Sequence, residues 1–98
     1  PAATGEAARE VAGRDAITHF VHNAGIIRPG LLPHVDLADL AALTQLHLGC
    51  AITLAQAALP AMERAGFGRI VLVSSRAVLG APTRTAYSAT KAGLIGLA

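Results

Sequence analysis

Large rings and thiols are scarce in this chain. Its 98 residues contain no tryptophan, one tyrosine and two phenylalanines, which excludes a core built on aromatic stacking. The single cysteine, Cys50, cannot close an internal disulfide, so the sequence is compatible with a reducing compartment. Cys50 itself reads as a small buried apolar residue rather than a reactive thiol. Runs of positive charge are also missing: the formal charge is +2 and the pI about 9.4, but the eight basic residues are scattered and no aromatics interleave them. Nucleic acid is therefore not an expected partner. No apolar run approaches the roughly 20 residues that cross a bilayer, and Pro1-Ala2-Ala3-Thr4-Gly5 has no charged segment leading into an apolar one. The expectation is a soluble, cytoplasmic protein with no membrane partner. His19, His22, His34 and His47 show no metal-ligand spacing, and no metal site is expected.

What the chain does have is small and branched aliphatic residues. Hydrophobic types make up 53% of it, mostly Ala, Leu, Val and Ile, the material of packed helices and parallel strands. A folded chain of this length buries only about two-thirds of its unfolded surface, so its stability alone would be marginal. It begins without Met and stops at Ala98 inside a helical pattern that has no cap or breaker after it. It reads as a fragment.

Along the sequence, Glu6 to Val11 reads as the last turns of a helix, with Gly13 where a helix hands over to a turn. Ala16 to Val21 fits a short strand, ended by the turn-prone Asn23-Ala24-Gly25. Pro29, Gly30 and Pro33 make Ile26 to Val35 a loop, and Asp36 is a good N-cap. Leu37, Leu40, Leu43, Leu48, Ile52 and Leu54 predict one long helix from about Leu37 to Ala65, bent or interrupted at Pro60. Gly66 and Gly68 close it, and Arg69 to Ser74 reads as a strand buried on both faces. Gly80 and Pro82 mark a second long loop, after which Thr85 to Ala98 is again helical. Strand, crossover helix, strand is a right-handed βαβ unit, and such open parallel sheets bind ligands at the carboxyl ends of their strands. The predicted fold class is α/β, a βαβα portion of a Rossmann-like, doubly wound parallel sheet.

The strand ends hold the chemistry. Tyr87 and Lys91 are four residues apart at the start of the last helix, so they share one face. A phenol is a poor base at neutral pH, and a neighbouring ammonium favours its phenolate, which suits it to acid/base work. Alone the pair is weak evidence, because helices place Tyr and Lys on solvated faces routinely. Ser74 and Ser75, 13 and 12 residues before Tyr87, end the buried strand where a hydroxyl can hydrogen-bond a substrate carbonyl; the plain alternative is two polar residues ending a strand.

Taken together, Arg69 to Ser75, the run Tyr87-Ser-Ala-Thr-Lys91-Ala-Gly-Leu-Ile-Gly and Asn23-Ala24-Gly25 resemble the short-chain dehydrogenase/reductases, in particular members like the 3-oxoacyl-ACP reductases. The triplet is similar to that family's Asn-Asn-Ala-Gly motif with His22 in first position, and the resemblance covers essentially the whole chain. It implies an NAD(P)-dependent oxidoreductase, NAD or NADP undecided, that moves a hydride between nicotinamide and a ketone or secondary alcohol. Tyr87 would be the general acid or base, and Lys91 would assist it and hold the nicotinamide ribose. Asn23, Ala24 and Gly25 would line the cofactor cleft, although Gly25 also suits a turn. Counting back 13 residues from Tyr87 selects Ser74 as the catalytic serine. Counting along the strand from Gly68-Arg69 selects Ser75, with one residue lost from the loop between, and this is favoured because loops absorb deletions more readily than buried strands change register. His47 stands where the family has a relay Asn on the long helix. It is either a proton relay or a packed helix histidine.

The resemblance also places this chain, residues 1–98, as the central part of one Rossmann domain. The family's Thr-Gly-x-x-x-Gly-x-Gly phosphate loop and its substrate lid are not in it. The 98 residues alone are therefore expected to bind nucleotide weakly or not at all. The resemblance implies a homodimer or homotetramer built on the two long helices. The reading from another class is a non-catalytic member of the fold, kept for nucleotide sensing or assembly.

Overall fold

Two short parallel strands sit at the centre of the computed structural model, which describes residues 2–14 and 16–98. β1 (His19–His22) pairs with β2 (Arg69–Leu72) in the register His19 with Arg69 through His22 with Leu72. A further bond from the Val73 N–H to the His22 carbonyl carries the pairing past the strand ends. A parallel pair cannot be joined by a tight turn, so the chain crosses over through a 29-residue helical stretch, Leu37–Ala65.

That stretch is not uniform. α2 (Leu37–Thr44) begins at Asp36, whose side chain accepts the Ala38 N–H at 2.8 Å. A π turn follows at Gln45–Gly49, and α3 (Cys50–Ala65) completes the crossover. α3 runs through Pro60 without the expected interruption. It ends on Gly66 at φ 67°, with the Gly66 and Phe67 N–H groups bonded back to the Glu63 and Met62 carbonyls.

Several local expectations shift. The first helix, α1 (Ala2–Arg14), is longer than its last turns suggested, and Gly13 lies inside it. The first strand starts at His19 rather than Ala16, because pairing with Arg69 defines it. β2 is not buried on both faces: Ile70, Leu72 and Ser74 look toward α3 and α4 (Thr85–Leu97), while Val71 is 50% exposed on the other side. The expectation that no segment reaches membrane-spanning length is also corrected. Leu37–Ala65 meets that test by length and composition, since Ala and Leu raise its mean hydropathy to 1.4 over 18 residues despite the polar residues among them. Its Leu43, His47, Cys50, Ala51, Ala58 and Met62 are nonetheless buried within the protein, and it packs on α1 and α4.

The two long loops fasten to each other. The Gly30 N–H donates to the Thr83 carbonyl at 2.9 Å, and Gly30 and Arg84 form a parallel bridge. Thr83 holds φ at 63° there, a strained value for a β-branched residue. The clasp sets where α4 begins, and hence where Tyr87 stands relative to the strand ends.

Candidate active site at the strand ends

Lys91 enters the site from the second turn of α4. Although charged, it is only 3% exposed, and its Nζ donates to the Val73 carbonyl at 2.9 Å just beyond β2. The ammonium lies 5.9 Å from the centre of the Tyr87 ring, as the four-residue spacing requires. The Arg84 guanidinium lies 5.6 Å from the same ring centre, so two cations flank the phenol-bearing side chain.

The two serines part company. Ser74 Oγ donates to the Lys91 carbonyl at 2.7 Å, tying α4 to the end of β2. Ser75 Oγ accepts the Ala77 N–H at 3.1 Å and caps the short 3-10 turn Arg76–Leu79, an arrangement that leaves its own proton to give elsewhere. The hydroxyl of Ser74 is thus spent on structure, whereas that of Ser75 keeps a donor.

Asn23, Ala24 and Gly25 follow β1 and are solvent-exposed. Gly25 does not use a left-handed conformation, so turn geometry is not what calls for it. Close approach is: a Cβ added there would sit 3.3 Å from both Lys91 Nζ and His47 Nε2. Glycine keeps the space beside the ammonium open.

His47, on the π turn, is fully buried and both ring nitrogens are engaged. Nε2 accepts the Ile26 N–H at 3.2 Å, so the proton resides on Nδ1, which donates to Thr90 Oγ1 at 2.8 Å. Thr90 Oγ1 in turn donates to the Ala86 carbonyl at 3.1 Å. The His47 ring also meets the Tyr87 ring edge-on, with centres 5.5 Å apart. His22, 2% exposed, donates from Nε2 to the His47 carbonyl at 3.0 Å. Burial holds the pKa of both histidines below the usual imidazole value. For His47 the Lys91 charge and then His22 add to that lowering; for His22 the bond to the His47 carbonyl opposes it.

Ser74, His47 and Lys91 therefore join one hydrogen-bonded end of the sheet, with Tyr87 and Gly25 in contact range and Ser75 beginning the turn beside it. Sequence reasoning gave no weight to His22 and Thr90. The substitution of His22 into a motif that otherwise opens with Asn was the available signal. Among the described residues, no cluster of three or more His, Cys, Asp or Glu side chains comes together.

A family model described as short chain dehydrogenase matches residues 2–98. The chain belongs to the short-chain dehydrogenase family. As a member of that family of NAD(P)-using oxidoreductases, it has relatives of several kinds. It is 35% identical over 83 residues to a 3-oxoacyl-[acyl-carrier-protein] reductase of Chlamydia trachomatis, covering 84% of this chain and 34% of that protein. It is 39% identical over 78 residues to nodulation protein G of Azospirillum brasilense, covering 79% and 32%. Among solved structures, a putative NAD(P)-dependent gluconate 5-dehydrogenase from Beutenbergia cavernae with bound NADP superposes with a TM-score of 0.90 at 30% identity, covering 96% of this chain and 38% of that one. A 3-oxoacyl reductase from Agrobacterium tumefaciens with NADP bound gives 0.88 at 29%, covering 97% and 37%. This short-chain dehydrogenase sequence thus spans about a third of the length of these relatives, and the expected Rossmann-like parallel α/β architecture is the one they share with it.

Proposed function

We propose that the intact protein moves a hydride between NAD or NADP and a ketone or secondary alcohol, with Tyr87 as general acid and base. The observation that carries this is the buried Lys91 ammonium, held on the Val73 carbonyl within 5.9 Å of the Tyr87 ring centre and beside Gly25. An ammonium is kept out of water only at a cost, and a structural role on a solvated helix face would not demand it.

The residues fit the nicotinamide end of a dinucleotide. Gly25 carries no side chain next to Lys91 Nζ, which has donors beyond the one given to Val73. When bound, the cofactor supplies or accepts the hydride. In the reducing direction Tyr87 gives its phenolic proton to the carbonyl oxygen, and in the oxidising direction the phenolate takes the alcohol proton. Lys91 stabilises the phenolate and orients the ribose, while Ser75 donates its free proton to the same substrate oxygen. Asn23, Ala24 and Gly25 border the cofactor. In this reading residues 1–98 are the middle of one Rossmann domain in a soluble, cytoplasmic homo-oligomer, and the isolated segment binds nucleotide weakly because it holds no Thr-Gly-x-x-x-Gly-x-Gly loop.

Turnover of a ketone panel with NADPH and NADH tests the proposal. Tyr87→Phe is expected to lower kcat at least about 100-fold, since the general acid is removed. A Tyr87→Phe protein that retains wild-type turnover overturns it. Cofactor binding without any turnover by the wild type would instead favour a sensing or assembly role.

A further inference from the structure

Where the π turn passes the end of β1, hydrogen bonds close a path across three distant segments of sequence. β1 contributes His22, the loop after it contributes the Ile26 N–H, the π turn contributes His47, and α4 contributes Thr90 and Tyr87. We propose that His22 and His47 are positioning residues, a neutral two-histidine brace that fixes the Tyr87-bearing helix against the Asn23-Ala24-Gly25 loop. The catalytic consequence rests on the oxidoreductase reading; the brace itself does not.

The bonding leaves each ring one job. For His47, a proton arriving on Nε2 would meet the Ile26 N–H that already points there, so the ring serves as a strut and not as a conduit. Its two ends reach the cofactor-side loop and Thr90, and its edge rests on the Tyr87 ring. His22 secures the strut from below: a π turn widens the helix locally, and the His22 Nε2–H holds the His47 carbonyl at 3.0 Å. The path joins residues 25 and 43 positions apart, which no local element could do.

Charge enforces neutrality. The titratable groups facing His47 are His22 from β1 and Lys91 and Tyr87 from α4, with the uncharged Thr90 hydroxyl beside them. A cation at His47 would stand beside the Lys91 ammonium and break the bond from Ile26. Acidification is therefore expected to release the loop from the strut.

The test is nitrogen-resolved NMR of the histidine rings in the intact protein, with kinetics alongside. His47 should show a protonated Nδ1 and a bare Nε2 at neutral pH and should resist protonation into the acid range. His22→Leu removes the donor to the His47 carbonyl, while His22→Gln retains an N–H donor at similar reach. The Leu variant should move the His47 titration toward the ordinary imidazole range. It should also lower kcat about tenfold with KM for the ketone nearly unchanged, because misplacing the acid affects the transition state rather than binding. His22→Gln should restore both readings, and it remains decisive if the Leu variant does not fold. A His47 proton found on Nε2 overturns the brace, as does a Leu variant that leaves the His47 titration and kcat both at wild-type values, or a Gln variant that shifts the titration and lowers kcat despite its retained N–H donor. Absence of turnover in a wild type whose His47 shows the bare Nε2 sinks the oxidoreductase reading and leaves the brace standing.

Discussion

The two sides of this small sheet are built inside out relative to each other. At the carboxyl ends of the strands, His22, His47, Thr90 and Lys91 are polar or charged and at most 3% exposed. Along the strands themselves, Val21 and Val71 are apolar and at least half exposed. Burying a polar group costs free energy unless it is bonded, and each of these four side chains makes at least one hydrogen bond; the buried side-chain atom without a partner among the described residues is the Ser88 hydroxyl. The contrast teaches that the strand ends are held together by specific hydrogen bonds, whereas the strand face carrying Val21 and Val71 is left largely open.

The largest way to break that contrast is at the acid and its ammonium. Lys91→Met keeps the bulk but removes the charge and the bond to Val73, and should reduce kcat by about 100-fold or more, read in the same ketone assay. Next comes the strut: His47→Leu orphans the Ile26 N–H and removes the donor to Thr90 Oγ1, whose own hydroxyl keeps the Ala86 carbonyl, and a thermal melt should show a loss of about 1 to 3 kcal/mol. The serines separate the two kinds of role. Ser75→Ala should cost about tenfold in kcat as well as about 0.5 to 1 kcal/mol from its lost cap on Arg76–Leu79, whereas Ser74→Ala should cost about 1 kcal/mol of stability through its lost bond to the Lys91 carbonyl and spare turnover. On the bare face, Val71→Thr should change stability by less than about 0.5 kcal/mol, measured by denaturant titration.

Acid should sharpen the comparison from another direction. Both buried histidines are held below the ordinary imidazole pKa of 6.5, so the folded protein keeps them neutral while the unfolded chain still takes protons there. The unfolded state therefore binds more protons as the pH falls through 6.5, and folding stability should decline below that value and stay flat above it. Replacing both His22 and His47 by Gln should flatten the decline in pH-dependent urea titrations. A slope that persists in the double variant would assign the acid sensitivity to other groups.

The elements were legible where local signals act locally. Asp36 capped the crossover helix as its side chain suggests, Gly66 ended it, and α4 began at Thr85. Ala2 to Gly5 showed no apolar period, so the first turn of α1 was not read; alanine favours helix without marking a face. The strand start moved to His19 because a partner 50 residues away decides it. In the same way Tyr87 and Lys91 announced themselves by spacing, but nothing near His47 in sequence says that its ring nitrogens meet Ile26 and Thr90. Contacts between distant segments leave no local pattern to read.

The π turn at Gln45–Gly49 has a consequence for comparing this chain with its kin. Adding one residue to a turn rotates everything downstream by about 100° relative to an unbroken α-helix. The crossover is in effect two helices out of phase, with Leu43 aimed inward by the first and Cys50 and Ala51 by the second. Sliding an alignment by a single position across that turn would match inward side chains with outward ones, and deleting Gln45 or Leu46 would turn the proposed strut away from Thr90 relative to α2.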